Sequence, residues 1–127
     1  MTTAPVAVVT GGGSGIGEAA ARRLARGGRA VAVLDIDARK AETVAESIRV
    51  DRGTARAWPC DVTDAPAIAA AAEDIAREFG AVEVLVNSGG ILQNATRVLD
   101  MSLEEADLIL RVNYLGTVAC CRAFAPS

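Results

Sequence analysis

The stretch that most constrains this chain is Thr10-Gly-Gly-Gly-Ser-Gly-Ile-Gly17, set between the apolar run Val6–Val9 and a segment of helical period from Glu18 to Arg26. A buried strand, a glycine turn and then a helix leave backbone amides bare at the helix start, where an anion such as a pyrophosphate can sit. Gly11 lets the chain leave the strand in a tight turn, and Gly15 removes a side chain where backbone must approach the pyrophosphate. Gly17 permits close packing of helix on sheet. The spacing predicts a dinucleotide site whose phosphate-facing residues are Thr10, Gly11, Gly13, Ser14, Gly15, Ile16 and Gly17.

The rest of the chain repeats the alternation of strand-length apolar runs with helical segments, the pattern of a parallel sheet covered by helices. Ala30–Leu34 reads as a second buried strand, and Ala38–Val50 as a helix with Ala41, Val44, Ala45 and Ile48 on one face. Thr54–Trp58 reads as a third strand. The Ala-rich segment from about Asp64 to Phe79 reads as a helix capped by Thr63 or Asp64. Val82–Val86 reads as a fourth strand, stopped by Asn87-Ser-Gly-Gly90, and Ser102-Leu-Glu-Glu105 as a capping box opening one long helix through about Phe124. Length and pattern together predict one α/β domain over residues 1–127, a Rossmann-type doubly wound parallel sheet in three αβα layers.

Asp35 stands 18 residues beyond Gly17, at the carboxyl end of the second strand. There a carboxylate can accept hydrogen bonds from the adenosine ribose and repel the 2′-phosphate of NADP. Two unit charges ~4 Å apart at an effective dielectric near 20 repel by about 4 kcal/mol, and hydration reduces this. Asp37, just before Ala38, suits a helix N-cap better. Ser14 and Ile36 bring no cation for a 2′-phosphate. NAD is therefore the expected cofactor, with NADP disfavoured.

Composition excludes several classes. A net charge of −3 with scattered arginines gives no phosphate-tracking surface for nucleic acid. Three cysteines, Cys60, Cys120 and Cys121, with no histidine, indicate neither a disulfide framework nor a metal site, and are expected as buried, reduced thiols in a cytoplasmic protein. No apolar stretch approaches the ~20 residues that span a bilayer.

Four motifs in order make the chain similar to the short-chain dehydrogenases/reductases. Thr10–Gly17 matches the family's T-G-x-x-x-G-x-G turn. Cys60-Asp61-Val62-Thr63 resembles its D-V segment after the third strand, and Asn87-Ser88-Gly89-Gly90 its N-N-A-G motif. Val112-Asn113-Tyr-Leu-Gly116 resembles the segment carrying its active-site asparagine. The resemblance implies strand order 3-2-1-4 and an NAD-dependent oxidoreductase acting on a secondary alcohol or ketone, as a homo-oligomer. It also implies that Asp61 bonds the adenine amino group, that the Val62 amide bonds a ring nitrogen, and that Asn87, Ser88 and Gly89 belong to the cofactor site, Asn87 bonding across to neighbouring backbone and Gly89 adding room beside the nicotinamide ribose. Asn113 would hold a water in a proton relay. Ser88-Gly89 stands where the motif has Asn-Ala.

The family's acid/base tyrosine, with a lysine four residues later, has no counterpart here. Tyr114 and Lys40 are the only tyrosine and lysine, and they lie far apart. Tyr114 is expected as helix packing. The sequence reads as the cofactor half of such an enzyme, incomplete on its C-terminal side, with strand four left as an unpaired apolar edge. A non-catalytic nucleotide-binding protein on the same fold, and another Rossmann enzyme, stand as alternatives. Gln93, Asn94 and Thr96 follow strand four and are expected as loop polarity.

Overall fold

The computed structural model describes residues 4–91 and 97–125, so Gln93, Asn94 and Thr96 lie outside the described residues. Four parallel strands, β1 (Val6–Thr10), β2 (Ala30–Asp35), β3 (Thr54–Pro59) and β4 (Val82–Asn87), pair in the order β3-β2-β1-β4. Between them run α1 (Gly15–Arg26), α2 (Ala38–Val50) and α3 (Ala65–Glu78). After β4 come a short 3₁₀ turn at Val98–Asp100, α4 (Leu103–Leu110), a π-helical turn at Arg111–Leu115 and α5 (Gly116–Phe124). This is the doubly wound order expected, with β1 and β4 adjacent where the strand order reverses.

Why the strands are central is legible in their side chains. Val6 and Val8 of β1, with Ala30, Ala32 and Leu34 of β2, pack on one face against Ile68 and Ile75 of α3 and Cys120 and Phe124 of α5. Val9, Val31 and Val33 pack on the other face against Ala21 of α1 and Ala41, Val44, Ala45 and Ile48 of α2. Alternate residues of one strand thus feed two cores, giving three layers. Each fully buried Val or Leu contributes about 2 kcal/mol.

Several expectations shift by a few residues for physical reasons. Helix α1 starts at Gly15 rather than Glu18, because Ser14 O already accepts Glu18 N at 3.1 Å. Asp37 caps α2 by accepting from Lys40 N at 3.1 Å, and Asp64, not Thr63, caps α3 by accepting from Ala67 N at 3.1 Å. Ser102 accepts from Glu105 N at 3.0 Å at the start of α4. Strand β4 carries an acid inside its apolar run. The β1–β4 register slips between Val6 and Ala7, so that Val82 and Val84 pair while Glu83 is skipped, and Glu83 meets Arg29 at 3.3 Å.

The long helix from Ser102 is continuous but not uniform, since five residues around Asn113 form the π turn. Among the described strands β4 pairs only with β1, and its residues are mostly half-buried. Tyr114 corrects an expectation: it is 63% exposed and packs into no core, on a helix face shared with Leu110 and Val118. The cysteine expectation also needs amending. Cys60 and Cys120 are buried, but Cys121 is exposed on the flank of α5.

Candidate cofactor-binding site

Every strand ends at one edge of the sheet, and there a cleft of about 430 Å³ opens between the turn after β1 and the loops after β2, β3 and β4. Its floor begins with Thr10, which is 2% exposed. Thr10 O accepts from Ser88 N at 3.3 Å and from the Ser88 hydroxyl at 2.5 Å, while its own Oγ1 accepts from Gly89 N at 3.3 Å. These three bonds fasten the end of β4 to the end of β1. Here the serine that replaces the motif's second asparagine holds the two turns together.

The glycine turn fits against this joint. Gly11 has φ +61°, and a Cβ there would stand 2.7 Å from Gly89 Cα and N, so the two turns meet glycine to glycine. Gly15, at φ +57°, has nothing within 4 Å of where a Cβ would be. That empty space lies over the start of α1. At Gly17 a side chain would collide with Gly11 O and the Ser88 hydroxyl. Gly12 N donates to Leu34 O at 3.0 Å and ties the turn to β2.

Helices α2, α3 and α4 each have a side chain accepting from their third amide, whereas Ser14 makes no such bond at α1. First-turn amides without a side-chain acceptor are free to meet an anion, which the helix dipole favours. Ser14 and Ile16 line the cleft, Ile16 with 82% of its surface exposed.

Asp35 stands at the rim where the turn passes β2. One carboxylate oxygen accepts from Gly13 N at 3.0 Å, and the other from Asp37 N at 2.9 Å. A Cβ on Gly13 would lie 2.8 Å from that first oxygen, so only glycine lets the turn lie this close to the acid. Ile36 beside it is exposed and lines the cleft. Across the rim, Asp61 accepts from Thr63 N at 2.9 Å and from the Thr63 hydroxyl at 2.7 Å. Those two bonds hold the Asp61 carboxyl below the usual carboxylate range, with burial opposing them less strongly and the nearby Arg111 adding a still smaller lowering. Val62 completes that wall.

Most of the residues expected from sequence converge on this cleft, but three stand apart from its lining. Gly13 faces Asp35 instead. Asn87 donates to Cys121 Sγ at 3.7 Å, on the flank toward α5. Asn113, in the π turn, clasps a neighbouring backbone: its Oδ1 accepts from Ile91 N at 2.7 Å and its Nδ2 donates to Ile91 O at 2.7 Å. Gly90, Ile91 and Val112 line the cleft and were not picked out as site residues from sequence. No local signal marks Ile91, because its partner is 22 residues away.

The thiols near the cleft are kept neutral. Burial, then the carboxylates of Asp61 and Asp64, push the Cys60 thiol up. Burial, then Cys60 and Cys121, push Cys120 up to about 11. Among the described residues no group of three or more His, Cys, Asp or Glu could hold a metal ion, and no helix is long and apolar enough to cross a membrane.

Comparison with known proteins finds the short chain dehydrogenase family model matching residues 5–127. The D-threitol dehydrogenase of Mycolicibacterium smegmatis is 42% identical over 118 residues, covering 93% of this chain and 45% of that protein. The mitochondrial (−)-isopiperitenol/(−)-carveol dehydrogenase of Mentha piperita is 43% identical over 122 residues, covering 94% of this chain and 45% of that protein. A metagenomic short-chain oxidoreductase solved in complex with NADP superposes with a TM-score of 0.90 at 36% identity, over 96% of this chain and 55% of that one. The chain thus spans about half the length of the proteins it matches.

Proposed function

The chain belongs to the short-chain dehydrogenase family, and from that premise we propose that residues 1–127 are the dinucleotide-binding unit of an NAD-dependent oxidoreductase acting on a secondary alcohol or ketone. The observation that carries this reading is the start of α1. Among the described residues its amides have no side-chain acceptor, open space lies over Gly15, and Asp35 at the end of β2 faces the turn.

A dinucleotide fits the residues present. The pyrophosphate would lie on the amides from Ser14 to Gly17, with Thr10 and Gly11 closing the turn beneath it. The adenosine ribose would meet Asp35 and Ile36, and the adenine would lie between Asp61 and Val62. The nicotinamide ribose would pass Asn87, Ser88 and Gly89. When bound, the nicotinamide supplies the hydride donor or acceptor. The protein's own part is to hold the anion, orient the two halves and keep water from their apolar contacts at Val62, Ile91 and Val112. Asn113 positions Ile91 through its side chain, and the relay water implied by the family resemblance remains part of this proposal.

Preference for NAD rests on this chain's own acid, since the superposed relative at 36% identity holds NADP. Asp35 is fixed by two backbone amides, and Ser14 and Ile36 beside it on the cleft lining are uncharged, while the stem of Lys40 lies against Gly13 of the same turn. A 2′-phosphate brought to that rim would meet the carboxylate first. Self-association through the exposed stripe of Leu110, Tyr114 and Val118 is proposed alongside, and sedimentation showing a stable monomer at all concentrations would count against it.

The test is a calorimetric titration of NAD and NADP into the wild-type chain and Asp35→Ala. The wild type is expected to favour NAD, and the variant to narrow the gap at least about fivefold, mostly by gaining NADP affinity. No binding of either cofactor by the wild type would overturn the dinucleotide reading. An unchanged ratio in Asp35→Ala would overturn the role given to the acid.

A further inference from the structure

We infer that Gly116 is a positioning residue for the adenine end of the cleft: its bare backbone is a notch in α5 that seats Val62 and so sets the wall against which the adenine lies. The inference rests on the dinucleotide reading above and concerns a residue that lines no part of the cleft itself.

Gly116 is buried at the start of α5. A Cβ there would stand 2.7 Å from Val62 Cγ2 and 3.0 Å from Val62 Cβ. Carbon atoms in contact sit about 3.5–4.0 Å apart, so a methyl group would displace Val62 by about 1 Å. Val62 cannot swing clear easily, because a β-branched side chain has few rotamers. It is half-buried, lies between Asp61 and Thr63, and lines the cleft. Moving it moves the loop that carries the adenine contacts.

The π turn explains how one helix reaches two loops. Arg111–Leu115 is wider than an α-turn, and within it Val112 faces the cleft while Asn113 clasps Ile91. Gly116 follows at once and meets Val62. The loop after β4 and the loop after β3 are therefore both referenced to the same stretch of helix, one by hydrogen bonds and the other by close packing.

The two roles Gly116 could have predict opposite outcomes. As an ordinary helix residue, replacement by alanine should raise helix propensity and leave cofactor binding alone. As a notch, it should weaken both cofactors, because both carry the adenine. NAD and NADP are titrated into wild type, Gly116→Ala, Val62→Ala and the double variant, with far-UV circular dichroism to check folding.

Gly116→Ala is expected to weaken NAD and NADP about tenfold each, leaving their ratio unchanged. In the Val62→Ala background, where the 2.7 Å contact is gone and the 3.0 Å contact with Cβ remains, the same substitution should cost clearly less affinity than in the wild type. If Gly116→Ala unfolds the chain, the double variant must fold and bind. Undiminished binding by Gly116→Ala, equal losses in both backgrounds, or a double variant that stays unfolded would each overturn the inference. Those outcomes with a wild type that binds sink this inference alone, whereas a wild type that binds neither cofactor sinks the dinucleotide reading and this inference with it.

Discussion

The cleft at the carboxyl ends of the strands, about 430 Å³, is smaller than a cavity of about 660 Å³ at their amino ends, between the C-terminal turns of α1 and α2. The larger one is rich in arginine, which at first sight suits an anion better. Its backbone argues otherwise, since Arg26, Gly28, Asp51 and Arg52 sit where helix carbonyls, not amides, point outward. Two of its three arginines, Arg22 and Arg26, are already engaged. Arg22 donates to Glu18 and to the Ser47 hydroxyl, and Arg26 lies 3.8 Å from Asp51. In the smaller cleft the helix starts, no side chain caps it, and glycines keep the approach clear. Helix polarity, rather than size or side-chain charge, separates the two ends.

The strongest way to break that comparison is to fill the small cleft's turn. Gly17→Ala would drive a methyl into Gly11 O and the Ser88 hydroxyl. Overpacking of this kind costs about 1–3 kcal/mol, and here it falls on the proposed anion site. NAD affinity should drop by up to about 100-fold on calorimetric titration. Binding within about threefold of wild type would mean the turn is not where the anion sits.

Next in size is Asn113→Leu, which removes both bonds to Ile91. At about 1 kcal/mol net per bond, the melting temperature should fall by roughly 5–10 °C. Ser88→Ala removes the side-chain bond to Thr10 O and should weaken NAD about fivefold, since it loosens the joint between β1 and β4. An unchanged affinity would reduce Ser88 to a spacer.

A pH titration probes Asp61. Its pKa is lower in the folded chain than in the unfolded one, so its stabilisation is fully present above the ordinary carboxylate range and is lost as pH falls through the lowered value. Asp61→Asn should therefore flatten part of the loss of stability below about pH 4, with little change at neutral pH beyond the lost hydrogen-bond strength. An acid limb that superimposes on the wild type's would remove Asp61 from that account. The smallest expected effect belongs to the large cavity. Arg26→Ala breaks only an exposed ion pair, worth less than about 0.5 kcal/mol, and should leave NAD binding unchanged. A clear loss of affinity there would reverse the assignment of the two ends.

Local patterns fixed much of this protein before any tertiary contact was considered. The period of Ala38–Val50 named the face that α2 buries, Asp37 marked its cap, and five glycines within eight residues placed the turn. These are properties of neighbouring residues, and chain connectivity alone expresses them. What the fold decided instead involves partners distant in sequence. Ser88 found Thr10 across 78 residues, Asp35 found Gly13 across 22, and Asn113 found Ile91 across 22. Tyr114 and Cys121, read from sequence as packed or buried, face solvent because helical position says which way a side chain points but not whether anything stands opposite. The irregularity that skips Glu83 in the β1–β4 pairing and the π turn that carries Asn113 likewise had no signal in the local pattern.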